Sequence, residues 1–152
     1  MNYGVIIIKV LLSTVLSGLI GYEREIRNKD AGLRTHILVG LGSTLIVLTS
    51  LYLSDIYKST LTPVDPARMI TGVVQGIGFL CGGAIIRAGA ASVKGLTTAA
   101  TLWIVSGVGI AVGAGDYASA VIVTVVAMLV LVIVRRIEFG IHDRKSGSHK
   151  NS

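Results

Sequence analysis

The stretch YASAVIVTVVAMLVLVIV, residues 117–134, contains no charged side chain. A helix of this length approaches the roughly 20 residues that cross a hydrocarbon core about 30 Å thick, at a rise of about 1.5 Å per residue. A strand of a membrane barrel is only about 10 residues long and alternates in polarity, so a continuous apolar run favours a helix. The stretch therefore predicts a transmembrane helix.

Four further apolar runs of similar length are predicted to span the membrane, at 4–22, 35–53, 69–86 and 96–113. The composition agrees, because 52% of the 152 residues are hydrophobic and only 14% are charged, unlike a typical soluble domain. We predict an all-α, polytopic membrane protein of about five transmembrane helices. The transmembrane domain is predicted to comprise residues 1–134, followed by a short, basic, disordered cytoplasmic tail, 135–152.

The basic residues of the connections predict the orientation of the chain. The first and third connections and the tail together carry eleven of the 14 Lys and Arg residues, whereas the opposite side carries only Lys58 and Arg68. By the positive-inside rule, the N-terminus faces out and the C-terminus faces the cytoplasm. This distribution accounts for the net charge of +6 without nucleic acid, since no aromatic stacking surface accompanies the basic residues.

Two side chains interrupt the apolar spans. Gln75 lies near the middle of the third span, where an unpaired amide is costly, so it is expected to face a partner helix or a wet cavity. Gln75 and Thr71 are the candidate residues of an intramembrane polar or ion path. Lys9 lies close enough to the outer end of the first span for its long side chain to reach the interface, which is the interpretation we prefer.

Small residues spaced four apart let helices approach closely in lipid. The candidate helix-packing residues of the third and fourth spans are Gly72, Gly76, Gly78, Gly82, Gly109 and Gly113. Contacts within one subunit are the preferred interpretation. A dimer interface and a close-lying ion path remain open, because the glycine pattern alone does not separate these alternatives.

The most informative polar stretch is GLIGYEREIRNKDAGLRTH, residues 18–36, which ends one helix and begins the next. If the first helix extends into it, Glu23 and Arg27 lie four apart on one face and can form a surface ion pair of little energetic value. Gly32 suits a break in the helix, and Thr35 can cap the second helix.

A second polar cluster, residues 87–98, occupies the next connection on the same predicted side, so the two connections are expected to meet there. We predict that they form one functional surface on the cytoplasmic side. Its candidate residues are Glu23, Arg24, Arg27, Arg34, Thr35, Arg87, Lys94, Thr97 and Thr98.

The sequence offers little for metal binding or catalysis. Asp65 precedes Pro66 as an ordinary helix cap would, although one carboxylate could also hold a hydrated Mg²⁺ as a weak metal site. The single Cys81 predicts neither a disulfide nor a zinc site. The spans contain no Ser, His and Asp constellation and the chain has no phosphate-binding loop, so we predict no enzymatic activity and no cofactor except Mg²⁺ as a ligand or substrate.

Three segments resemble the successive signature blocks of the MgtC/SapB membrane domain: GLIGYEREIRNKDAGLRTHILVGLGSTL (18–45), DPARMITGVVQGIGFLCGGAIIRAG (65–89) and VKGLTTAATLWIVSGVGIAVGAGDY (93–117). The matching positions are Gly21, Glu23, Arg24, Arg27, Ala31, Gly32, Leu33, Arg34, Thr35, Asp65, Arg68, Gly76, Gly78, Phe79, Arg87, 94–100 and Trp103. The chain departs from the family pattern at 81–83, where Cys-Gly-Gly replaces the commoner Gly-Ala-Gly, so the packing of the third helix is expected to differ.

The resemblance implies a protein of the bacterial inner membrane that acts in magnesium homeostasis, adaptation to low Mg²⁺ and, in some pathogens, virulence. Some members of the family carry a soluble C-terminal domain. Only about 18 residues follow the last predicted span here, so functions of that domain are not transferred.

Two functions are in competition. The first is a non-enzymatic regulator that binds other inner-membrane proteins, such as the ATP synthase or transporters, through its cytoplasmic connections; membrane lipid and a second copy of the chain, as a homodimer, are its other expected partners. The alternative is a cation transporter or channel formed by an oligomer. Spans without Asp or Glu disfavour a coupled transporter, but backbone carbonyls can also select ions.

Overall fold

The computed structural model describes residues 3–58, 64–86 and 94–134. Across these ranges the chain forms five α-helices and no strand: α1 Tyr3–Ile26, α2 Leu33–Ile56, α3 Pro66–Ile86, α4 Leu96–Ala114 and α5 Tyr117–Leu129, which a π-helical turn continues over Val130–Val134. Five helical segments in these ranges are long and apolar enough to cross a membrane. The predicted all-α fold with five spans is confirmed, whereas the predicted orientation of the termini stays a prediction. The predicted tail, 135–152, lies outside the described residues.

The centre of the bundle is formed by α1, α2 and α4. The first two helices pack as an antiparallel pair, α4 packs against both of them, and α5 lies against α4 and α1. Helix α3 packs mainly on α4 and less on α2. We call the end at which α1 and α3 finish and α2 and α4 begin the basic end.

The first helix continues one turn past its predicted end at residue 22. It ends at Ile26, and Asn28 in the turn that follows adopts a left-handed conformation with φ of 50°. The amide of Asn28 donates to the Glu25 carbonyl at 2.9 Å and the amide of Lys29 donates to the Arg24 carbonyl at 3.1 Å. These two bonds form a Schellman motif, in which asparagine is tolerated at the left-handed position. The charged residues Glu23, Arg24 and Glu25 therefore belong to the helix and not to the connection.

The second helix is capped by a side chain from the first. Glu25 Oε2 accepts a hydrogen bond from the Leu33 amide at 3.0 Å. A Cβ on Gly32 would lie 1.7 Å from that oxygen, so a larger residue would displace the Glu25 carboxylate from this position. The prediction that Thr35 caps α2 is wrong, because α2 already begins at Leu33 and the Glu25 carboxylate occupies the capping position.

The fifth helix begins with a side-chain cap as well. The Ser119 amide donates to Asp116 Oδ1 at 3.1 Å, and the hydrogen bonds from Ser119 hold the pKa of that carboxyl below its usual range. Gly115, with φ of 96°, ends α4 immediately before this cap. The left-handed conformation lets the chain reverse direction within two residues.

Glycines bring α4 into backbone contact with α2. A Cβ added to Gly109 would lie 2.4 Å from the carbonyl oxygen of Gly40, and one added to Gly113 would lie 2.8 Å from Val47 Cβ. The glycines of α3 behave differently, because no described atom lies within 4 Å of a Cβ added to any of them: Gly72, Gly76, Gly78 and Gly82. The expectation that these four glycines pack against helices of the same subunit is therefore wrong. The reason is that α3 contacts the bundle through the buried Val73 and Ile77, while a cleft separates Gly72 and Gly76 from α2.

Candidate functional site

Buried polar side chains of α1, α2 and α4 line the interface between these three helices. We call this set the polar column: Lys9, Ser13, Ser17, Glu23, Arg24, His36, Ser43, Thr44, Thr98, Thr101 and Ser106. Polar groups inside a bilayer must find partners within the protein, because lipid offers none. The partners within the polar column therefore decide what it can do.

Lys9 forms the end of the polar column that lies opposite the basic end. Its ammonium group donates to the carbonyl oxygen of Gly113 at 2.8 Å, and the residue is only 9% exposed. The last carbonyls of a helix lack intrahelical donors and carry the negative end of the helix dipole, so α4 offers this cation a ready acceptor. The ammonium group lies beside Gly115, at the turn between α4 and α5, and the expectation that Lys9 reaches the membrane interface stays a prediction.

Two layers of hydroxyl groups lie in the middle of the column. Thr44 Oγ1 is 2.8 Å from Ser13 Oγ and 2.9 Å from the Gly109 carbonyl oxygen. A carbonyl can only accept, so Thr44 donates its single proton to Gly109 and accepts from Ser13. In the next layer Ser43 Oγ lies 3.0 Å from the Val39 carbonyl and 2.9 Å from Ser106 Oγ.

One hydroxyl between these layers and the basic end has no partner. Ser17 Oγ is buried and makes no hydrogen bond with any residue that the structure describes. It lies against Gly40, where a Cβ would be 2.0 Å away from it. Gly40 therefore accommodates Ser17 on α1 and Gly109 on α4 at the same point of α2.

His36 links α2 to the start of α4. Its Nδ1 lies 2.8 Å from the Gly32 carbonyl oxygen and its Nε2 lies 3.0 Å from Thr101 Oγ1, which is itself 2.8 Å from the Thr98 carbonyl. Two proton arrangements satisfy these contacts. In a neutral ring Nδ1 donates to Gly32 and Thr101 donates to Nε2; in a protonated ring both nitrogens donate and Thr101 turns its proton to Thr98.

His36 is not among the residues that the sequence analysis singles out, yet it is fully buried. The sequence does carry a signal for this burial, which is the repeat of polar and small residues at every fourth position. On α2 it runs through His36, Gly40 and Thr44, and on α1 through Lys9, Ser13, Ser17 and Gly21. Residues spaced four apart share one helix face, so each series marks the face that is turned inward.

A buried ion pair lies at the basic end of the polar column. Glu23 and Arg24 are both buried and in contact, with Arg24 Nε donating to Glu23 Oε2. Arg27 Nε lies 3.4 Å from Glu23 Oε1 but is partly exposed. The predicted pair of Glu23 with Arg27 is present, but the expectation that it lies at the surface is wrong, because Glu23 is buried. The close approach of α1 to α2, where a Cβ on Gly21 would lie 2.9 Å from Leu33 Cα, covers this end of the helix.

The residues predicted to form the cytoplasmic surface include both exposed and buried side chains. Its exposed members are Arg27, Arg34, Thr35, Lys94 and Thr97. Its buried members are Glu23, Arg24 and Thr98. Arg87 lies outside the described residues. Ala31 of the first connection packs with Ile77 of α3 and Leu102 of α4, whereas most of the second connection lies outside the described residues, so the meeting of the two connections stays a prediction.

The candidate intramembrane path lies apart from the polar column. Thr71 and Gln75 are exposed on α3, where the Thr71 hydroxyl donates to the Ala67 carbonyl at 2.9 Å. Asp65 accepts from the Ala67 amide at 2.9 Å and so acts as a helix cap. Among the described residues no group of His, Cys, Asp and Glu could hold a metal ion.

A cleft of about 750 Å³ separates α2 from α3. Apolar side chains form most of its wall, and Ser43 and Ser106 of the polar column also line it. Gly42, Gly72 and Gly76 widen the cleft on its two sides. The middle of the polar column therefore borders a space that the protein itself does not fill.

Comparison with known proteins assigns the family. The sequence model of the MgtC family matches residues 10–139. "Putative magnesium transporter YhiD" of Escherichia coli is 36% identical over 139 residues, which cover 91% of this chain and 64% of that protein. "Protein MgtC" of Salmonella typhimurium is 38% identical over 129 residues, which cover 85% of this chain and 52% of that protein.

The match covers nearly all of this chain but only part of these relatives. An uncharacterized protein of Haemophilus influenzae is 35% identical over 144 residues, which cover 93% of this chain and 60% of that protein. The chain thus spans between about half and two thirds of the length of the curated relatives it matches. No solved structure matches. With five apolar helices and a family match over most of its length, the chain is a multi-pass membrane protein that belongs to the MgtC family.

Proposed function

We propose that this protein acts in magnesium homeostasis in the bacterial inner membrane, as a non-enzymatic regulator that binds other membrane proteins. Membership of the MgtC family supports the first part, together with a relative whose name refers to magnesium transport. The closed packing of the polar column supports the role of a regulator over that of an ion transporter. Gly109 and Gly40 touch through their backbones and the neighbouring hydroxyls bond to each other, which leaves no room for an ion between α2 and α4 at this level.

The contact surface in this proposal is the exposed part of the basic end. Arg34, in the first turn of α2, and Lys94, just before α4, are both exposed at this end, and neither makes an ion pair within the described residues. An exposed guanidinium without a partner is free to bind a carboxylate or phosphate group in two-pronged geometry. Arg34 is therefore the residue on which we base the test.

We expect Arg34→Ala to abolish function without reducing insertion, because the side chain lies outside the packed interior. The test is growth of a deletion strain in limiting Mg²⁺, with total cell Mg²⁺ and the membrane level of each variant recorded. Wild type should restore growth, and Arg34→Ala should do no better than the empty vector.

The control for this experiment is Lys58→Ala. Lys58 is an exposed cation at the opposite end of the bundle, where it pairs with Asp55. The Lys58→Ala variant should restore growth like wild type. Full rescue by Arg34→Ala at normal membrane levels would contradict the proposed contact surface, and failure of wild type to restore growth would contradict the role in magnesium homeostasis.

A direct cation transporter is the second candidate, and one observation favours it. The sequence analysis disfavours a coupled transporter because the predicted spans contain no Asp or Glu. The observed α1 is longer than its predicted span and includes Glu23, which is buried. From Lys9 to Glu23 the polar column extends about 21 Å along α1, which is most of the hydrocarbon thickness.

Purified protein in liposomes separates the two candidates. If the regulator proposal is right, we expect Mg²⁺, K⁺ and H⁺ fluxes equal to those of empty vesicles, because the column is closed at Gly40 and Gly109. A flux above this background that Glu23→Gln removes would instead establish a transporter. Vesicles with Arg27→Ala serve as the matched control, since this residue changes the charge at the same end but is partly exposed.

A further inference from the structure

The outer face of α3 lacks a neighbour in this fold. In its 18-residue apolar window only 11% of the residues are buried, against 56% for α4. Val73 and Ile77 are its buried side chains, and both lie on the side that contacts the bundle. On the other side Phe79 is 85% exposed.

This face carries an unpaired amide at membrane depth. Gln75 lies near the middle of the 21-residue helix, is exposed, and makes no hydrogen bond with any described residue. Hydrocarbon cannot satisfy its two donors and its carbonyl oxygen, so leaving the side chain in lipid is unfavourable. Some group at the same depth should pair with it when the protein is in a membrane.

The surroundings of Gln75 allow another helix to come close. Thr71 lies one turn before it and Phe79 one turn after it, on the same face of the helix. Gly72 and Gly78 lie three residues before and after it, and a Cβ at either position would meet no described atom of another helix within 4 Å. These glycines let another helix approach the amide from the sides, between Thr71 and Phe79.

We propose that this face of α3 binds the same face of a second copy, across a two-fold axis along the membrane normal, with the two Gln75 amides bonded to each other. Two copies inserted with the same topology place each residue at the same depth as its counterpart. An amide is both donor and acceptor, so it is complementary to itself. A different partner would need a polar group at this depth by coincidence, whereas a second copy supplies one of necessity.

Disulfide trapping tests this proposal, which does not depend on the proposed function. With Cys81→Ala the chain contains no cysteine, and Thr71→Cys then introduces one in the proposed interface. The control is Ile8→Cys, on the exposed face of α1; both positions lie five residues after the start of their helices and so at matched depth. Mild oxidation of membranes should link Thr71→Cys into a species of twice the mass and leave Ile8→Cys monomeric.

The role of the amide is tested in the Thr71→Cys background. Gln75→Leu should lower the linked fraction about threefold, as expected when a single interhelical hydrogen bond is lost, and Gln75→Asn should preserve most of it. Equal linking of Thr71→Cys and Ile8→Cys, or a linked species of another mass, would overturn the two-fold interface. Unchanged linking in Gln75→Leu would overturn the pairing of the amides.

Discussion

Alanine at Gly109 is expected to destabilise the protein by about 2–3 kcal/mol, the upper range for overpacking an interior. The added methyl group would lie 2.4 Å from the Gly40 carbonyl oxygen and 2.9 Å from Ser43 Cβ. The nearest atom belongs to the backbone, so no rotamer change relieves the conflict and α2 must move away from α4. That movement also lengthens the bond from Thr44 to the Gly109 carbonyl and the bond between Ser43 and Ser106.

The matched control is Gly107→Ala, two residues earlier in the same helix. Gly107 is exposed and a Cβ there would meet nothing within 4 Å, so this variant should gain about 1 kcal/mol of helix propensity and lose no contact. Thermal unfolding of both variants in the same detergent, followed by size-exclusion chromatography, measures the difference. Equal midpoints for the two variants would show that α2 and α4 are not in backbone contact at this position.

The number and type of the helices could be predicted from the sequence, because the length and apolarity of a membrane span are local properties. The stretch 117–134 suffices to identify one span without knowledge of the rest of the fold. The predicted positions of the helix ends were less accurate where charged residues belong to the helix. Glu23 and Arg24 suggest a membrane edge by composition, but they are buried because α2 covers them.

The polar column could not be predicted in the same way, because it depends on which helix faces meet. Single serines and threonines are common in membrane helices and indicate nothing alone. The partner of Lys9 could not be predicted, because the sequence does not reveal that the end of α4 lies beside it. The spacing of four between Lys9, Ser13 and Ser17 marks an inward face, but it does not identify the partner helix.

Glycine patterns were ambiguous for a related reason. The spacing of Gly72 and Gly76 on α3 equals that of Gly109 and Gly113 on α4, yet only the second pair contacts a neighbouring helix. The difference lies in the rest of each helix. Helix α4 is flanked by four helices, whereas α3 packs on two, and a cleft keeps Gly72 and Gly76 apart from α2.

The second large effect is expected at the buried ion pair. Glu23→Ala should cost about 3–5 kcal/mol, the range for removing one partner of a buried pair, because the Arg24 guanidinium would remain buried without its carboxylate. The partly exposed Arg27 provides the comparison. Arg27→Ala should cost at most about 1 kcal/mol, since water screens a pair at the surface.

A double-mutant cycle distinguishes this explanation from a general effect of cavities. If the loss in Glu23→Ala comes from an unpaired charge, adding Arg24→Met removes that charge, and the double variant should be more stable than Glu23→Ala alone. If the loss came only from the missing side-chain volume, the second substitution would add to it. Thermal unfolding midpoints that fall further in the double variant would therefore contradict a dominant electrostatic role for the pair, and the packing of α1 against α2 would then account for the stability of the basic end.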